Sequence, residues 1–147
     1  MSELSMTAAP IRAPRWLAAA SLAGIAWNLF GAAQFAGSIT ATEASLIAQG
    51  MTPAQAAVMT GYPVWMTAAF AIGVAGGLIG SVLLFMRHTG AMPILGVSLA
   101  AYIALWMGDL VYGVFAALGI GQVVILTIVV GIAAALFALS RLTVAKG

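Results

Sequence analysis

Read for apolar and polar positions alone, the chain falls into four long apolar stretches separated by short polar breaks. They run from about Trp16 to Ile39, Val64 to Met86, Met92 to Leu118 and Gln122 to Leu142. A bilayer's hydrocarbon core of about 30 Å takes roughly 20 residues of helix to cross, and each stretch is long enough. In lipid every backbone amide must be satisfied within its own segment, so these stretches predict helices. The alternation of a membrane barrel strand is absent. The pattern predicts an all-α integral membrane protein, a bundle of four transmembrane helices forming one domain over residues 1–147.

The breaks between stretches predict how the helices connect. Arg87-His88-Thr89-Gly90-Ala91 joins spans two and three, with Pro93 suited to the first turn of the new helix. Gly119-Ile120-Gly121 turns span three into span four. Links this short make successive helices antiparallel neighbours, which is up-down topology. The segment from Thr40 to Pro63 is longer. Thr40 to Glu43 has capping-box spacing with Gly50 as a stop, and Thr52 to Gln55 repeats the pattern with Gly61 as the next stop. Two short helices across the outer mouth are expected, either as an interfacial connector or as a lid over a pocket.

Composition narrows the setting. The 147 residues are 64% hydrophobic and 5% charged, with a mean hydropathy of +1.16. A soluble domain carries about 25% charged residues, and one this small could not hide so much apolar surface. Lipid is the partner this composition demands. Five Lys/Arg against three Asp/Glu make no basic patch, so no nucleic-acid binding is expected. The absence of cysteine and the single histidine leave no expected metal site, cofactor or thiol nucleophile. With one intramembrane acid and scattered hydroxyls, the chain does not read as an enzyme.

The cations set the orientation. Arg12 and Arg15 precede span one, Arg87 lies between spans two and three, and Arg141 and Lys146 end the chain. All five fall on one side of a four-span arrangement, so the positive-inside rule predicts that both termini are cytoplasmic. Two arginines before an apolar run also resemble a signal peptide. Span one is longer than such a run and is interrupted by Asn28 and Gln34, so an uncleaved helix is expected.

Small and polar positions suggest which faces matter. Gly73 with Gly77, and Gly76 with Gly80, give span two the small-xxx-small spacing that lets helix backbones touch, within the bundle or between protomers. Span one places Asn28 near mid-membrane, where an amide serves as a hydrogen-bonding anchor. On span three, Tyr102, Trp106, Asp109 and Gly113 share one stripe, with Tyr112 beside the acid. Asp109 lies about 6 Å outward of mid-span at 1.5 Å per residue. Burying a carboxylate there costs on the order of 3 kcal/mol. The five cations lie at the opposite surface. Asp109 must therefore be protonated, meet water, bind a cation or lean on neutral donors, for which Asn28, Gln34, Tyr102, Tyr112 and Trp106 are the candidates. His88 reads as an ordinary loop residue, and Trp16, Tyr62 and Trp65 as an interfacial aromatic belt without chemistry.

The set Trp27-Asn28-x-x-Gly31, Tyr62-Pro63-x-Trp65, the glycines from Gly73 to Gly80, and Leu83-Leu84 before Arg87 resembles small bacterial four-helix membrane proteins labelled sugar transporters. The likeness covers roughly the first two thirds of the chain. It implies a bacterial inner-membrane protein and carries over no catalytic residue. Small multidrug resistance transporters also have four helices, but their essential acid is in the first, where this chain has none. Two functions follow as expectations. One is binding or transport of a small molecule at an outward-half pocket lined by Asp109, with transport requiring a homo-oligomer. The other is an accessory subunit that docks through the glycines of span two.

Overall fold

The computed structural model describes residues 14–144. It is all-helical, and no strand occurs among the described residues. Among the described residues seven helices follow in order: α1 (Arg15–Thr40), α2 (Glu43–Ala48), α3 (Pro53–Thr60), α4 (Val64–Phe85), α5 (Ala91–Val111), α6 (Val114–Leu118) and α7 (Ile120–Val144). Four of them, α1, α4, α5 and α7, are long and apolar enough to cross a membrane. Two of the five cations used to orient the chain, Arg12 and Lys146, lie outside the described residues.

Core α4 packs against both α5 and α1, and α5 also packs against α7. The glycines explain the closeness of α4. A methyl group at Gly73 would lie 2.7 Å from the Tyr102 ring, one at Gly76 3.1 Å from Ser98, and one at Gly80 2.5 Å from Leu95. Gly77 faces the other way, with the Asn28 amide of α1 in the space a side chain would take. These glycines therefore serve contacts inside one chain, three toward α5 and one toward α1. Ser98 Oγ donates to the Gly73 carbonyl at 2.6 Å, joining the two backbones at the same level.

Two apolar clusters fill the interior. Leu17, Leu84, Ala91, Leu95 and Leu136 form one, from the start of α1, the end of α4, the start of α5 and the latter half of α7. Met66, Tyr102, Leu105, Phe115 and Leu126 belong to the other, at the end where α2, α3 and α6 lie. The remaining apolar side chains, such as Leu29, Phe30, Ile79, Val97 and Ile125, point outward. That is the surface of a helix bundle made for lipid.

Two local departures from the sequence reading have physical causes. The span expected from Met92 to Leu118 is broken: α5 stops at Val111, and Gly113 takes a left-handed φ of 76° before the short α6 begins. Gly119, at φ 84°, turns the chain again into α7. Only glycine adopts such angles without strain, so this pair defines both ends of α6. The first capping box forms two residues later than expected. Thr40 stays in α1 with its hydroxyl bonded back to the Ala36 carbonyl, and Thr42 caps α2 reciprocally with Ser45. Arg87 occupies a left-handed position, φ 60°, in the turn ending α4, where a glycine would be usual. The amides of Arg87 and His88 there bond the carbonyls of Leu84 and Leu83.

In the segment between α1 and α4, α2 ends in a Schellman turn. Gly50, at φ 102°, bonds Ile47, and Met51 bonds Leu46. The next helix, α3, has Thr52 and Gln55 as a reciprocal cap and Pro53 in its first turn. Gln55 also reaches across the fold, its Nε2 donating to the Ala117 carbonyl of α6 at 3.2 Å. This bond holds α3 and α6 together at the end of the bundle where Asp109 lies.

Candidate functional site at the buried carboxyl

Asp109 lies in the last turn of α5 and is 0% exposed. Burial is possible because Gly108 beside it has no side chain: a methyl group there would lie 2.8 Å from the Trp65 ring and 2.9 Å from Met66. The first turn of α4 thus packs directly against α5 beside the acid. The carboxyl is not left bare. Tyr62 donates its phenolic hydroxyl to Oδ1 at 2.7 Å, and Gln122 donates Nε2 to Oδ2 at 3.1 Å. Tyr62 comes from the turn before α4 and Gln122 from the first turn of α7. Three segments far apart in sequence therefore meet at one acid.

The geometry is specific about chemistry. Both partners donate, so the site asks for two acceptors, and a carboxylate supplies them. Both partners are neutral, so the carboxyl is held by hydrogen bonds alone. Tyr62 responds in turn. Burial, then the hydrogen bond to Asp109 and the charge behind it, push its phenol well above its ordinary value. Tyr62 therefore remains a donor far into the alkaline range.

The other candidate residues sit elsewhere, each for a geometric reason. Asn28 is buried, but its Nδ2 bonds the Gly24 carbonyl of its own helix at 2.8 Å. Gln34 is exposed: six residues beyond Asn28, at about 100° per residue, carry it to a different face of α1. Tyr102 shares the Asp109 stripe but lies two turns inward, about 10 Å at the helical rise, and packs on Gly73. Trp106 donates Nε1 to Thr127 at 3.1 Å and stacks edge-on against Phe115 with centroids 5.2 Å apart. Tyr112 caps α5, turns outward and stands 6.1 Å from the Trp65 ring. Of the six candidates, only Asp109 belongs to the site.

Sequence reasoning missed Tyr62, assigned only to the aromatic belt, and Gln122, taken as a span boundary. The available signal was depth. Tyr62 precedes span two, Gln122 opens span four, and Asp109 nears the end of span three, so all three lie at the same end of an alternating bundle. No cluster of three or more metal-ligating side chains occurs among the described residues.

Fold and site together define an all-helical protein with four helices able to cross a membrane and an acid enclosed near one end of the bundle. Comparison with family models, curated proteins and solved structures finds no match to this chain.

Proposed function

We propose that the protein is a multi-pass protein of a bacterial inner membrane, up-down in topology with both termini cytoplasmic. In this reading it binds a small polar molecule at its outer end, and Asp109 is the group that recognises it. The observation that carries the reading is the Asp109 carboxyl, fully buried yet held by neutral donors alone. Keeping a carboxylate at membrane depth costs on the order of 3 kcal/mol, and intramembrane acids mark functional sites by default. A neutral side chain would fill the same place without that cost.

The two donors also suggest how the site opens. Tyr62 leads into α4 and Gln122 begins α7, so parting these segments uncovers the carboxyl from the outer side. A molecule with hydroxyl or amino donors then replaces Tyr62 and Gln122 as partner of Asp109. The α2–α3 segment, tied to α6 through Gln55, covers this end and serves as the lid. Transport, as distinct from binding, would need a homo-oligomer, because four helices of one chain enclose no conduit.

Native mass spectrometry of the detergent-purified protein tests the reading by reporting bound small molecules and stoichiometry together. Asp109→Asn keeps shape while removing titration. The parent is expected to retain a small polar ligand that Asp109→Asn loses. Equal binding by both proteins at every pH would reduce Asp109 to a structural clasp.

A further inference from the structure

Between the two apolar clusters, away from Asp109, lies a cavity of about 10 Å³ lined from all four spans. Its wall is mostly apolar, with Val129, Ile132 and Leu136 on the α7 side, but Asn28, Ser98 and Tyr102 also line it. Asn28 is 3% exposed, and its Nδ2 is used within α1. Among the described residues no donor reaches its Oδ1. Tyr102 is 4% exposed, and no hydrogen bond to its phenol is formed among the described residues. The Ser98 hydroxyl spends its proton on the Gly73 carbonyl and keeps its oxygen free to accept.

Buried polar atoms left without partners are costly, and natural folds satisfy them within the chain or with ordered water. Apolar cavities stay dry. A polar one holds water when it offers about one probe sphere of space, roughly 10–15 Å³, and two to four partners. This cavity is at that lower size, and three of the side chains that line it, Asn28, Ser98 and Tyr102, carry polar groups.

We infer that the cavity binds one ordered water molecule midway through the bundle. The Tyr102 hydroxyl donates to the water, and the water's two protons go to Asn28 Oδ1 and Ser98 Oγ. All three polar groups are then satisfied by a single bridging molecule, and α1 is linked to α5 across the face of Gly77. The site stands apart from Asp109 and does not depend on the function proposed above.

The test is a structure of the whole protein at a resolution that shows ordered water, together with melting of the parent and Tyr102→Phe. The expected map has one peak within hydrogen-bonding distance of Asn28 Oδ1, Tyr102 Oη and Ser98 Oγ. Tyr102→Phe removes the donor to the water, so its melting temperature is expected to fall by a few degrees. A map without the peak overturns the inference, as does an Asn28 amide turned so that its oxygen accepts from the chain. A variant melting with the parent also overturns it. Should Tyr102→Phe fail to fold, the parent map decides by itself.

Discussion

Replacing Asp109 by leucine and by asparagine separates what its hydrogen bonds contribute from what its charge costs. Leucine fills the site but accepts nothing, so the Tyr62 hydroxyl and the Gln122 amide lose their partners. A buried donor left unsatisfied costs about 1–3 kcal/mol, so the pair loses about 4 kcal/mol at the centre of that range. Part of this is returned, because the desolvated carboxylate, worth on the order of 3 kcal/mol, is gone. The net loss is then about 1 kcal/mol if the parent acid is ionised, and nearer 4 kcal/mol if it is neutral and no such return exists. For a chain of this size, about 3 °C of melting temperature corresponds to each kcal/mol. The expected fall is thus between about 3 and 12 °C. Asparagine behaves differently. Its one carbonyl accepts from Tyr62, its NH₂ faces Gln122, and the Gln122 amide can turn over to present its oxygen. Both bonds survive without a buried charge, so Asp109→Asn is expected to melt at or above the parent. Thermal melts by circular dichroism in one detergent measure both variants. If Asp109→Asn melts as low as Asp109→Leu, the two-donor account of this site is wrong.

Three further outcomes are expected. Gly77→Leu puts a side chain where the Asn28 amide lies, so melting temperature should drop sharply, and an unchanged melt would mean this contact is not made. Tyr62 has a folded pKa raised above its ordinary 10.0, so the folded state holds that proton more tightly than the unfolded chain. The resulting stability is complete below about pH 10 and declines as pH rises beyond it, and Tyr62→Phe should flatten that decline in a pH series of melts. Cysteines introduced at Ala41 or Gly61 should react with an impermeant reagent from the periplasm while one at Thr89 stays unlabelled; the reverse pattern would invert the proposed orientation.

The four spans were legible because their signal is simple: a run of apolar residues long enough to cross lipid has few alternative uses. The glycine spacing of α4 was legible too, although only coordinates assign Gly77 to α1 and its three companions to α5. The break in the third span was not. Gly113 sits inside a continuous apolar run, and nothing local separates a glycine that packs from one that turns the chain. Missing that break hid α6 and with it the Gln55 bond to Ala117. The misplaced capping box has a similar origin, since threonines at 40 and 42 compete for one role and the reach of α1 decides between them. Asp109 itself stood out by its charge, but its partners did not. Tyr62 and Gln122 are ordinary boundary residues whose importance arises only where three segments converge.

The way polar groups are satisfied in α1 and α5 sets the order in which the chain can settle during synthesis. The Asn28 amide nitrogen bonds a carbonyl of its own helix, so that donor needs no second helix. The acid of α5 has no such independence. Of its donors, Tyr62 has already emerged when Asp109 is translated, but Gln122 follows 13 residues later. Until then one carboxyl oxygen has only water to bond. The third span therefore has its acid fully bonded only once the fourth lies beside it.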